Sequence, residues 1–119
     1  MRLLPSALAG LVLSGALLTA ASAAPLSPAG TWRVQDDTAS IRIAPCGHRS
    51  FCGVAGNGEM ILDHMRETGP NAWTGRINDS RSGSVYDGTI SLVDERTLRV
   101  HGCMQGGGMC GDQSWTRAR

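Results

Sequence analysis

Apolar and polar residues alternate along this chain in short runs, broken by glycines and polar turn residues. Trp32 and Val34 alternate with Arg33 and Gln35, so residues 31–35 read as a strand with one buried face. Residues 39–44 follow with Ile41 and Ile43 inward and Arg42 outward, and residues 53–55 continue a returning strand. The pattern resumes at 72–77, where Trp73, Gly75 and Ile77 share a face, and at 85–93, the longest run, with Tyr86, Gly88, Ile90 and Leu92 inward. Leu98 and Val100 are the inward residues of 97–103, and Trp115 and Arg117 share a face of 113–117. Residues 56–71 are the least legible. A short helix over 59–67, with Met60, Ile61 and Met65 loosely on one side, competes there with a short strand at Ile61 and Leu62.

Seven or eight short strands at regular spacing with hairpin-length turns predict an all-β domain. It is read as a small antiparallel up-and-down β-barrel, with a sandwich as the other packing of the same strands. Closing the sheet removes its exposed edges. The first and last strands, around Trp32 and Trp115, are then neighbours.

The start of the chain does not belong to this domain. Met1-Arg2 precedes an Ala/Leu/Val run to Ala20, and Ala21-Ser22-Ala23 supplies the small residues of a cleavage site. Residues 1–23 therefore read as a secretory signal peptide rather than an anchor, leaving 24–119 as the mature domain, without a membrane span, in the periplasm or secreted. All eleven Lys+Arg positions are arginine, and losing Arg2 with the signal leaves arginines balanced against the ten acids. A neutral chain lacks the basic excess that nucleic acid or an anionic membrane surface requires.

A domain this small buries only about 60–65% of its unfolded surface, so it needs reinforcement. Cys46, Cys52, Cys103 and Cys110 supply it in an oxidising compartment. Four cysteines allow three connectivities. Cys46–Cys52 and Cys103–Cys110 are favoured, because each pair flanks a polar or glycine-rich turn that brings its ends together. His48 lies between the first two cysteines and His101 precedes Cys103, so zinc is the competing use of these thiols. The Cys-x-His-x3-Cys spacing is not a familiar ligand pattern, and disulfides are expected with no metal and no cofactor. His64, with Asp63 and Glu67, reads as a solvated polar face.

The order and spacing of several short motifs resemble the bacterial domain-of-unknown-function 2147 family. They are Gly30-Thr31-Trp32, Ile41-Arg42-Ile43-Ala44-Pro45-Cys46, Trp73-Thr74-Gly75-Arg76-Ile77, Gly102-Cys103 and Trp115-Thr116-Arg117. The resemblance runs from about Gly30 to Arg117. It departs at a shorter segment between Cys52 and Trp73, and at Asn78-Asp79-Ser80, where the family has an aromatic–Asp–Pro. The family is similar to lipocalin-like barrels, in which a Gly-x-Trp on the first strand packs under an arginine near the end of the last. That similarity implies that Arg117 covers Trp32.

No nucleophile elbow, zinc-protease or phosphate-loop motif occurs in the sequence, and no enzymatic activity is expected. The inward aromatics either fill the barrel or wall a small cavity, for which inward Gly75, Gly88 and Gly102 would make room. Trp32, Trp73, Tyr86, Trp115 and Arg117 are the candidate binding residues for a small apolar, amphipathic or acidic ligand. The alternative is a protein-interaction module of the envelope, a stress factor or protease inhibitor, presenting Met104 and Met109 on a cross-linked loop.

Overall fold

The computed structural model describes residues 26–36 and 38–119; the expected signal peptide lies outside these residues. Eight strands follow one another: β1 (Gly30–Arg33), β2 (Ser40–Pro45), β3 (Ser50–Ala55), β4 (Met60–Gly69), β5 (Ala72–Asp79), β6 (Ser84–Asp94), β7 (Thr97–Met104) and β8 (Cys110–Arg117). Each pairs antiparallel with the next, and β8 returns to β1, closing an up-and-down barrel. Among the described residues no helix is long and apolar enough to cross a membrane.

The alternation seen in the sequence becomes inside and outside of this wall. Ile41 and Ile43 of β2, Ile90 and Leu92 of β6, and Leu98 and Val100 of β7 are buried, while Arg42, Arg99 and His101 between them are exposed. Trp32, Trp73 and Trp115 complete the core from β1, β5 and β8. β4 adds Leu62 and Met65, both fully buried.

The helix considered for 59–67 is not formed. Leu62 and Met65 are three apart and both inward, a helical spacing, because β4 carries a bulge. Asp63 pairs with Arg76 and Arg66 with Thr74, so two residues on β4 lie opposite one on β5. His64, at the bulge, has φ of 52°, in the left-handed region that non-glycine residues rarely occupy.

Both disulfides pair as favoured, Cys46–Cys52 across the β2–β3 turn and Cys103–Cys110 across the β7–β8 turn. On the chain-entropy model each loop of this length contributes about 2 kcal/mol.

The closing seam is short. β1 and β8 pair at only two register positions, Trp32↔Arg117 and Arg33↔Thr116, extended by Ala118 N–H donating to Thr31 O at 2.8 Å. Side chains reinforce it. The Arg117 guanidinium lies 4.3 Å from the Trp32 ring centroid. It also donates from Nη1 to Ala29 O (2.7 Å), from Nη2 to Ser27 O (2.9 Å) and from Nε to Glu95 O (2.6 Å). Trp32 Nε1 donates to Pro28 O at 2.8 Å. One side chain thus ties the lead-in, the first strand and the β6–β7 turn to the last strand. Gly30 is required beneath it: its φ is 138°, and a Cβ there would lie 2.6 Å from Arg117 Nη1.

The glycines expected to open space inside do not all do so. A Cβ on Gly88 would collide with Ile77 Cδ1, and one on Gly75 would meet His64 O at 2.6 Å and Met65 Sδ at 2.8 Å. The missing side chains are replaced by Ile77, Met65 and the bulged backbone of β4. Gly102 is approached less closely, but still tightly, with Tyr86 Cβ 3.2 Å from where its Cβ would lie.

Two outcomes are expected in thermal or chemical melts. Arg117→Ala loses about 2–4 kcal/mol of stability, and Arg117→Lys recovers little of it, because an ammonium cannot stack and fork at once. Gly88→Ala is destabilising alone but recovers much of the loss when combined with Ile77→Ala, a non-additive pair; additive losses would show that Ile77 does not occupy the glycine's space.

Candidate functional site

In an up-and-down barrel alternate turns share an end. The lead-in, the β2–β3, β4–β5 and β6–β7 turns and the Arg117–Trp32 stack lie at one end, and that end is closed. The turns after β1, β3, β5 and β7 lie at the other. There the interior opens into a recess of about 420 Å³, within the size range of small-molecule sites.

Its floor is apolar, made by Ile41, Ile61, Ile77, Tyr86, Val100 and Trp115. Tyr86 is half-buried between its partners Ile77 on β5 and Met104 on β7. The rim is polar, with Asn57, Glu59, Asp79, Arg81, Asp112 and Gln113. Glu59 and Asp79 stand against Arg81 in and beside the turns of this end, while the Asp112 carboxylate is turned to His101, so the balance at the mouth is mildly acidic.

The mouth is held by bonds within its turns and across its strands. Asn57 Nδ2 donates to Glu59 Oε1 (2.5 Å), and Asp79 Oδ1 accepts from Arg81 N–H (3.0 Å). Asn78 Nδ2 donates to Met60 O (3.1 Å) and Trp115 Nε1 to Gln113 Oε1 (2.8 Å). The β1 strand ends before it reaches the mouth. Gln35 Oε1 substitutes there for a strand neighbour, accepting from Ser114 N–H at 2.7 Å.

The five candidate binding residues divide between the two ends. Tyr86 and Trp115 line the recess. Trp32 and Arg117 form the closed end, with Trp32 fully buried. Trp73 packs edge-on to Phe51, with ring centroids 6.0 Å apart. Sequence reading missed the rim residues, although they sit in the turns and strand ends of one barrel end and follow from the strand order once eight strands are counted.

A second, larger depression of about 690 Å³ lies on the outer wall, lined by Asp63, His64, Thr74, Arg76, Asp87 and Gln105 among others. These are mostly exposed side chains on the outer faces of β4, β5 and β6 and in the β7–β8 turn, so the depression is an open one on the wall and not an opening of the interior. The recess at the mouth is the better site.

Both disulfides have a histidine beside them. Cys46 and Cys52 are joined not by His48, the sequence neighbour, but by His64, which the bulge of β4 carries across the sheet. Its Nδ1 lies 2.5 Å from Asp63 Oδ1. His101 meets Cys103 and Cys110, with Nδ1 2.7 Å from Asp112 Oδ1 and Nε2 3.8 Å from Cys103 Sγ.

No curated protein and no solved structure matches the chain. A family model does match residues 56–117, from the β3–β4 turn to the end of β8, taking in Tyr86, Trp115 and most of the rim. The closed eight-stranded wall, its last strand ending in Trp115-Thr116-Arg117, and that match together place the chain in domain of unknown function 2147, described as an uncharacterized protein conserved in bacteria.

Proposed function

We propose that this chain is an exported, non-catalytic binding protein that takes a small amphipathic molecule into the open mouth of its barrel. The observation that carries the reading is the recess itself: about 420 Å³, floored by Ile41, Ile61, Ile77, Tyr86, Val100 and Trp115 and ringed by polar side chains. An apolar body of limited size fits the floor, and a polar head stays at the rim. The rim's acidic balance favours a neutral hydrogen-bonding or cationic head. A carboxylate head would meet Arg81 as the one cation of the named rim, since the Arg117 guanidinium is engaged with three carbonyls at the opposite end.

Two features support the non-catalytic and exported parts of the reading. Asn57, Glu59 and Asp79 of the rim are occupied in fixing turns, which suits a rigid collar more than acid–base chemistry. Two disulfides in so small a domain suit an oxidising compartment, in keeping with the signal-like start of the sequence.

Titration of the mature protein with the neutral fluorescent amphiphile N-phenyl-naphthylamine tests this. Saturable enhancement of probe fluorescence is expected, with quenching of Trp115. Ala55→Phe, which fills the recess from β3, is expected to weaken the probe at least about tenfold, or about 1.4 kcal/mol, with an unchanged circular dichroism spectrum. Absence of saturable binding, or equal binding by Ala55→Phe, contradicts the proposal.

A further inference from the structure

The β7–β8 hairpin carries a second kind of chemistry on its outer face. Val100 and Gly102 point inward, so His101 and Cys103 share the outer face of β7. Register sets them against Asp112 and Cys110 of β8: His101↔Asp112 and Cys103↔Cys110 are cross-strand partners, separated by Gly102↔Gly111. Four chemically active side chains therefore form one patch two residues wide on each strand.

Within that patch the His101 ring nitrogens and the two sulfurs supply ligand atoms that all lie within 4.8 Å of one another. The imidazole is also oriented. Asp112 Oδ1 accepts from Nδ1 at 2.7 Å, which leaves Nε2 facing Cys103 Sγ at 3.8 Å. A carboxylate on the far nitrogen is the arrangement that fixes tautomer and ring direction in metal-ligating histidines.

We propose that this patch, once its disulfide is reduced, is a Cu(I) site with His101 Nε2, Cys103 Sγ and Cys110 Sγ as ligands and Asp112 as the positioning residue. In the oxidised protein the sulfurs are bonded to each other and the site is shut. A dithiol reductant opens it: the Cys103–Cys110 bond breaks, the reductant's two sulfurs join, and its two protons and two electrons pass to the cysteines. Cu(I) then displaces the two thiol protons, with no further change of oxidation state.

Three features favour this hairpin and this ion. The bond is within reach of a reductant, since Cys110 is exposed and Cys103 half-buried, whereas Cys52 of the other pair is 6% exposed and belongs to the core. The backbone holds the ligands in place without the disulfide, through the β7–β8 ladder and the Met104 N–H to Met109 O bond of 2.9 Å. The donors are also soft. Two thiolates and an imidazole select Cu(I) over hard cations, and three ligands suit it better than zinc, which takes four in closed sites. The exposed thioether of Met109 stands one residue from Cys110 as a further soft donor.

The test is anaerobic competition for Cu(I) against bicinchoninate, using the mature protein with and without prior phosphine reduction. The reduced protein is expected to remove one Cu(I) per chain from the indicator, and the oxidised protein none. His101→Ala is expected to bind at least about tenfold more weakly, Asp112→Asn to fall between, and the Cys46→Ser/Cys52→Ser double variant to bind as the parent does. Cys103→Ser/Cys110→Ser, checked for a barrel spectrum by circular dichroism, should remove none. Failure of the reduced parent to take Cu(I), uptake by the folded Cys103→Ser/Cys110→Ser variant, or equal affinity in His101→Ala overturns the proposal.

Discussion

Closure of this barrel depends on one guanidinium. A sheet of eight strands closes only if its first and last members meet, and here they share two register positions. Arg117 makes up the difference. Its flat face covers the Trp32 indole, and its edge donates to carbonyls of Ser27, Ala29 and Glu95. Stacking and forked donation from the same group require arginine. They also require the absence of a side chain at position 30, where the guanidinium lies against the backbone. The Gly-x-Trp and the terminal arginine are therefore one structural device divided between the two ends of the domain.

That device gives the barrel its polarity. The short β1 strand, the buried Pro28 and the Arg117–Trp32 stack plug one end. Among the described residues the other end has no equivalent plug. Its turns carry Asn57, Glu59, Asp79 and Arg81, and its interior stays open down to Tyr86 and Trp115. Binding is proposed at the mouth because the interior opens there. The hairpin proposed to take Cu(I) also belongs to the open end, but its ligand side chains lie on the outside of the wall. The two proposals thus use opposite faces of β7 and can fail independently.

Most of the fold was legible because period-2 alternation survives wherever one face of a strand is buried. β2, β6 and β7 follow it throughout, and the cysteine pairing follows from short loops across hairpins. β4 was illegible for a physical reason. Its bulge adds a residue between Leu62 and Met65, converting the spacing of its buried residues to that of a helix, and neither residue type nor composition marks that insertion. The site was less legible than the fold. Aromatic identity alone could not separate Trp32 and Trp73, which lie away from the recess, from Tyr86 and Trp115, which line it. Gly88 and Gly75 read as empty space, but a glycine only permits an approach, and here Ile77 and Met65 make it. His48 read as the partner of the first disulfide, but the fold brings His64 instead, through sheet neighbours far apart in sequence.

The strength of the closing seam is measured most directly by hydrogen exchange at the Trp32 indole N–H, which donates to Pro28 O beneath the Arg117 guanidinium. If the seam opens only when the whole barrel does, this proton exchanges with the same opening free energy as the backbone amides of Ile90 and Val100 in the core. Exchange of the indole proton much faster than those amides, under conditions where the barrel stays folded, would show that the two ends part on their own and that the stack does not hold the fold closed.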